Sequence, residues 1–531
     1  MSSHLPILPI VLPLLVAALQ LLLGEKRRRS VLALSVASCA TLVLVAALLM
    51  LKVSAEGTMA TVYRLGDWPA RFGIVLVADH LAALMVLLSC VLGLAVLPYA
   101  LGRWQHRGGH FQPLLQFLLV GLNGAFLTGD LFNLFVFFEV LLAASYGLAL
   151  YGSGARRVSA GLHYIAVNLI ASMLFLLGAS LIFGVTGTLN MAALAELVPQ
   201  VPERTRALLH AGAAILGTAF LIKTAMWPMG FWLPRTYAAS APAVAAMFAL
   251  MTKVGIYVLL RLGLLLFGDG AGAASAHFGS GWMLWGGIAT VAAGTVGMLG
   301  ARDLAKLAGY NVLVSSGTLL GAIGLQQPAA TTAALAYLVI STLAIAAFFL
   351  VAGLLASDGD DDTDDTLLLE PYEQVGDSQP GESRYAAEDE SLVVISAPIA
   401  MLGLSFCCCA VLLAGLPPLS GFLAKFALLR AMLEAGSIGA MVLFALVVMA
   451  GFGTVIAMCR AGIQIFWVEP ERLFPRVRLV ETASIALLLG LCLWLTVFAA
   501  RPLDYLREAA RQLHAPASYI HAVLPAAEVP R

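Results

Sequence analysis

Charge is what this chain has least of. Asp, Glu, Lys and Arg make up 11% of its 531 residues, against about a quarter in a soluble domain. Apolar residues account for 61%, and the mean hydropathy is +0.94. A surface that faces water needs polar groups to cover it, so a soluble globular enzyme, a disordered chain and a nucleic-acid binder are excluded. Thirty basic and thirty acidic residues cancel, and net charge points to no partner. Cysteine is sparse and unpatterned. Cys39, Cys90, Cys459 and Cys492 stand alone in apolar runs, and Cys407, Cys408 and Cys409 are adjacent in another. With no CxxC pair and no Cys/His spacing suited to zinc, no metal is expected. Haem, iron–sulfur and nucleotide motifs are missing too, so no cofactor is expected. The first apolar run is read as a spanning helix rather than a cleavable leader, because its basic cluster, Lys26-Arg27-Arg28-Arg29, follows it.

What remains is an all-α polytopic membrane protein. A spanning helix takes about 20 apolar residues, and lipid forces every backbone polar group to pair internally. Apolar runs bounded by charges, Gly or Pro predict about fourteen spans, over residues 5–23, 30–51, 79–100, 112–128, 131–151, 158–185, 206–228, 240–266, 281–300, 309–325, 330–356, 393–430, 437–459 and 479–500. The cluster at Lys26–Arg29 places the first loop in the cytoplasm and the N-terminus outside. Alternation then puts most loop arginines on the cytoplasmic side and returns the C-terminus to the outside. Residues 357–391 form one unusual loop, carrying thirteen of the thirty acids against a single base, Arg384. Such a block repels itself and stays solvated; a surface insertion and a cation-gathering or docking role are both compatible with it.

Four ionisable residues stand out inside predicted spans, where a charge at mid-helix costs about 2.5–3.5 kcal/mol on insertion scales. They are Glu139 in LFNLFVFFEVLLAASYGL, Lys223 in LGTAFLIKTAMWPMGFWLP, Lys253 in MFALMTKVGIYVLL and Lys425 in LAGLPPLSGFLAKFALLRAM. One acid cannot neutralise three bases as fixed pairs. Glu139 is expected to pair with Lys223, leaving the other lysines in low dielectric, where giving up a proton relieves the burial of charge. A hydrated relay follows, with Glu139 as its switch. Static helix–helix pairing is the competing reading. Two of the lysine spans are breakable: Lys223 precedes Pro228, and Lys425 follows Pro417, Pro418 and Gly421. Proline opens the helical ladder, and broken helices in matching positions of two halves point to a transport site between inverted repeats. The expected organisation is three leading spans in 1–111, a first five-helix unit in 112–267, a second in 281–460, and a last span with its tail in 479–531.

Other polar residues carry less. Asp130, with Asn133, reads equally as a helix start and as part of the path. Asp79 and His80 read mainly as the cap of the third span. His163 fits a proton relay or an interfacial histidine. Ser315, Ser316, Ser341 and Thr342 are candidates for holding water, although hydroxyls in spans often bond their own helix.

The motifs GDLFNLFVFFEVLLAASYGL (129–148), IKTAMWPMGFWLP (222–234), MTKVGIYVLLR (251–261) and LAGLPPLSGFLAKF (413–426) together resemble the D subunit of the Mrp-type cation/proton antiporters. That family is similar to the antiporter-like membrane subunits of respiratory complex I and of membrane-bound hydrogenases. The resemblance runs over about residues 5–500, apart from the acidic insertion. It implies fourteen helices, two inverted five-helix units and breaks in helices seven and twelve. It implies that Glu139 and Lys223 form the charged pair of the first half, that Lys253 joins the halves, and that Lys425 ends the second. It also implies other subunits of a hetero-oligomeric complex in a bacterial inner membrane, exchanging Na+ or K+ for protons. The chain departs from relatives in two places. Asn311 follows Tyr310, and Ile340 precedes Ser341-Thr342, where relatives often carry histidine. The competing assignment is a proton-pumping subunit powered by a quinone or hydrogenase module, with the same relay and a different energy source.

Overall fold

In the computed structural model, the described residues are 2–24, 27–55, 60–70, 73–103, 110–152, 154–356, 397–468 and 477–524. The acidic loop expected at 357–391 lies outside them. Helices dominate. The chain opens with α1 (Leu8–Leu23) and α2 (Arg28–Ala55), then a hairpin of β1 (Thr61–Arg64) and β2 (Val75–Ala78). Next come α3 (His80–Arg103), α4 (Phe111–Leu127), α5 (Leu131–Ala149), α6 (Ala155–Thr186) and the short α7 (Met191–Leu197). They are followed by α8 (Glu203–Lys223), α9 (Trp232–Ala239), α10 (Pro242–Phe267), α11 (Ser280–Gly300), α12 (Leu304–Gly324) and α13 (Pro328–Leu355). The chain continues with α14 (Ala397–Ala414), α15 (Ser420–Ala435), α16 (Ile438–Ile463), α17 (Leu479–Val497), α18 (Ala500–His514) and α19 (Ala517–Val523).

Thirteen of the described helices are long and apolar enough to cross a membrane, and Phe111–Leu127 is a shorter apolar one. They coincide one for one with the fourteen predicted spans. Two spans differ from a continuous helix. The seventh stops at Lys223 and resumes as α9, and the twelfth divides into α14 and α15. Both breaks hold a cis X-Pro peptide, Trp227-Pro228 and Pro417-Pro418. The first break leans on the second half of the chain, since the Trp227 backbone N–H donates to Thr290 Oγ1 of α11 at 2.9 Å.

Close helix crossings are made by glycine. A Cβ on Gly287 would come within 2.4 Å of the Gly321 nitrogen, and one on Gly317 within 2.7 Å of the Val291 nitrogen. The α11–α12 contact therefore requires bare backbone on both sides, the small-residue packing that membrane helices favour where lipid removes the hydrophobic drive. The interior is densest at α10, α12 and α13, which are buried on all sides, whereas α1, α2, α6 and α17 keep one apolar face outward.

The connections fit the alternation of the spans. Leu76 bridges Thr128, Asp130 bridges Asn190, and His4 bonds Tyr63 at 3.2 Å. Loops preceding the third, fifth and seventh spans thus share one face, with the tail helices α18 and α19 folded onto it. On the opposite face, arginines close helix C-termini. Arg157 donates to the Ala239 carbonyl at 2.8 Å, Arg460 to Leu299 and Ala301 at 2.8 and 2.6 Å, and Arg478 to Gly102. Cations there bond the last free carbonyls and complement the helix dipoles. The basic bias read from sequence thus has a second physical role.

The tail is held by polar contacts on an amphipathic helix. Tyr505 donates to the His80 carbonyl at 2.8 Å, Gln512 Oε1 meets His80 Nδ1 at 2.9 Å, and His514 Nε2 meets Thr331 Oγ1 at 3.0 Å. Burial lowers the His514 pKa from the ordinary 6.5, against a smaller raising effect of Asp269. A released tail would therefore bind a proton more readily than a docked one. Docking strength is then full above about pH 6.5 and declines as pH falls below it. Limited proteolysis of the tail should accelerate between about pH 7 and pH 5, and His514→Gln should flatten that dependence. An unchanged slope in the variant would remove His514 as the cause.

Candidate functional site

Each lysine singled out in the sequence is turned away from the lipid face. Lys253 on α10 is fully buried, Lys223 is 5% exposed and Lys425 is 9% exposed. Their helices form a row. The α8 helix packs on α10, α10 packs on α12 and α13, and α13 packs on α15. The elements that carry the three amino groups are therefore in continuous contact across both halves.

Lys223 ends α8 at the break. Its Nζ donates to Asn168 Oδ1 of α6 at 3.5 Å and lies 5.1 Å from the centre of the Phe138 ring. Glu139, next along α5, is within electrostatic reach of Lys223. The expected direct ion pair is absent: among the described residues Glu139 makes no salt bridge, and its buried Oε1 has no hydrogen-bond partner. The physical reason is local. The ammonium rests against the Asn168 amide oxygen and the Phe138 face rather than on the carboxylate. In this structure the two charged groups therefore stand apart.

Among the described residues, Lys253 Nζ has no hydrogen-bond partner, and neither has the adjacent Thr252 hydroxyl. An unpaired buried ammonium is costly, so the site calls for water or for loss of the proton. Lys425 is different. It follows the second break and donates to the carbonyls of Leu413 and Ala414, at 2.7 and 2.9 Å, closing the C-terminus of α14. Pro417 and Pro418 lie between those two helices, and Gly421 lets α15 start against α14, since a Cβ there would sit 2.1 Å from the Leu412 carbonyl oxygen.

On the two helices that pack beside α10, Ser315 of α12 donates to Ser341 of α13 at 3.0 Å, and the Ser316 hydroxyl is buried without a partner among the described residues. Thr342 bonds its own helix at Leu338, and Asn311 bonds Leu307. Ile340 is buried and apolar. Two other candidates are placed by capping and orientation. Asp130 caps α5, accepting from the Phe132 and Asn133 amides at 2.8 and 2.9 Å. His163 is turned outward on α6 and bonds the Ser159 carbonyl at 2.8 Å, away from the row of lysines.

Sequence reasoning missed Asn168, whose signal was an amide in mid-span. It also missed that Asp79, read as a cap, forms a buried bidentate ion pair with Arg261 of α10, at 2.5 and 2.8 Å. Asp79 does cap as well, accepting from the Ala82 amide at 2.9 Å.

A multi-pass bundle with two broken helices and three sequestered lysines defines a membrane transport subunit rather than an enzyme. The family model described as "NADH:quinone oxidoreductase/Mrp antiporter, TM" matches residues 128–453, and the chain belongs to that family. It is 49% identical, over 99% of its length and 98% of the relative's, to the probable K(+)/H(+) antiporter D subunit of Rhizobium meliloti. It is 34% identical to the Na(+)/H(+) antiporter D subunit of Alkalihalophilus pseudofirmus, over 98% of this chain and 99% of the relative. A chain in the solved Mrp complex from Dietzia superposes with a TM-score of 0.81 at 27% identity, covering 98% of this chain and 99% of that one. The resemblance to the Mrp-type D subunit is upheld over the whole length.

Proposed function

We propose that this chain is the proton-conducting D-type subunit of a multisubunit antiporter that exchanges K+ or Na+ for protons. Its setting is a bacterial inner membrane, with both ends of the chain outside. The two expected units, 112–267 and 281–460, each supply half of the path. Glu139 and Lys223 act at the first break, Lys253 joins the halves, and Lys425 ends the path at the second break. Ser315 and Ser341 hold water that bridges Lys253 and Lys425.

The observation that carries the reading is the fully buried Lys253 amino group, unpaired among the described residues, on a helix that contacts both halves. A scaffold has no use for it, whereas a group that alternately binds and releases a proton does. When Lys223 draws toward Glu139 it keeps its proton. When it sits on Asn168, as here, the proton is free to pass to Lys253. The test is proton movement in everted vesicles carrying the complete complex. Pulses of K+ or Na+ should dissipate an imposed proton gradient, and the more effective pulse identifies the cation. No response to either, with the complex present, would refute the reading.

A further inference from the structure

The Asp79–Arg261 pair lies outside the path just described, and four features set it apart from an ordinary structural bridge. First, Lys253, Tyr257 and Arg261 are spaced i, i+4, i+8 and share one side of α10, so the pair stands about 12 Å along the helix from the unpaired Lys253. Secondly, the pair borders a small, partly open pocket formed with Gln512, Ser518 and Tyr519 of the folded-back tail. Thirdly, Arg261 has partners besides Asp79. Its guanidinium lies 5.2 Å from the Tyr257 ring centre and 5.4 Å from that of Tyr519, and it donates to the Tyr257 hydroxyl at 3.1 Å. Fourthly, the Asp79 carboxylate is buried and takes both of its oxygens' charged contacts from that one guanidinium. Moving Arg261 aside would strand a buried negative charge, and a stranded carboxylate takes up a proton.

We propose that Asp79 and Arg261 form a proton port between Lys253 and the pocket beneath the tail helices, with Asp79 as the carrier and Arg261 as the movable charge that controls it. The port rests on the antiporter reading above. Arg261 lets go of Asp79 and stays held by Tyr257 and Tyr519. A proton leaves the Lys253 ammonium, giving the neutral amine, and passes through water to the Asp79 carboxylate. Return of Arg261 expels that proton into pocket water and restores the ion pair. The cycle also runs in reverse. Arg261 stays protonated throughout, and Tyr257 is a positioning residue, since its hydroxyl is already donated to the Phe126 carbonyl at 2.6 Å.

The test measures cation-driven proton movement in vesicles bearing the complete complex, with assembly scored by co-purification of the other subunits. Two variants are compared, Asp79→Asn and the double variant Asp79→Leu with Arg261→Met. Replacing a buried ion pair by apolar residues is often neutral for folding, so the double variant separates packing from proton transfer. Both should assemble, and both should lose at least about a hundredfold in maximal rate with the half-saturating cation concentration unchanged. Wild-type rates in an assembled variant would overturn the port. So would failure of both to assemble, which would make the pair a structural lock. Glu139→Ala is the control: if it abolishes exchange while the Asp79 variants do not, the port fails alone. If wild type shows no exchange, the antiporter reading fails.

Discussion

Lys223→Ala is expected to abolish cation-driven proton movement while the complex still assembles, and Glu139→Ala is expected to do the same. Groups that pass protons contribute about 10²–10⁴-fold to rate, so residual exchange should fall to about 1% or less. The structure gives the reason assembly survives. Among the described residues the Glu139 Oε1 has no partner to abandon. Lys223 gives up one long hydrogen bond, at 3.5 Å, and one ring contact. Neither loss leaves a close counter-charge stranded, the usual cause of severe destabilisation. Vesicle assays beside co-purification check both halves of the prediction, and assembled variants with wild-type exchange would remove the pair from the path.

Lys425→Ala should impair exchange far more than Lys306→Ala. Lys306 is exposed in the first turn of α12, on the face rich in arginine. Lys425 is buried and bonds two carbonyls at the end of α14. Removing it also leaves those carbonyls unsatisfied, at about 1–3 kcal/mol each, so alanine alone mixes structural and transport effects. Lys425→Arg separates them. Arginine keeps donors near the carbonyls but does not release its proton. The arginine variant should assemble better than the alanine variant and remain as inactive. Restored exchange with arginine would mean that Lys425 serves only to close α14.

Much of this architecture was legible in the sequence because lipid simplifies the physics. Every span must be apolar and helical, so the fourteen runs became fourteen spans, and prolines at 228, 417 and 418 marked both breaks. The buried lysines were conspicuous because nothing else in the middle of those spans is charged. Long-range geometry was hidden. Asp79 and Arg261 stand 182 residues apart, each near the end of a span, where a charge looks interfacial. The docking of the tail was hidden too, since the buried face of α18 is only Leu506, Ala509, Ala510 and Leu513. The Glu139–Lys223 contact was inferred from charge alone, and Asn168 displaced it by offering an uncharged acceptor on α6.

Lys253 tests the central claim most directly. Vesicles carrying the complete complex with wild-type chain or Lys253→Leu, matched for assembly, would be pulsed with K+ or Na+ while the proton gradient is followed. The account predicts dissipation in wild type and none in the leucine variant, which packs without an amino group. Equal dissipation in both would mean that protons cross the complex without Lys253.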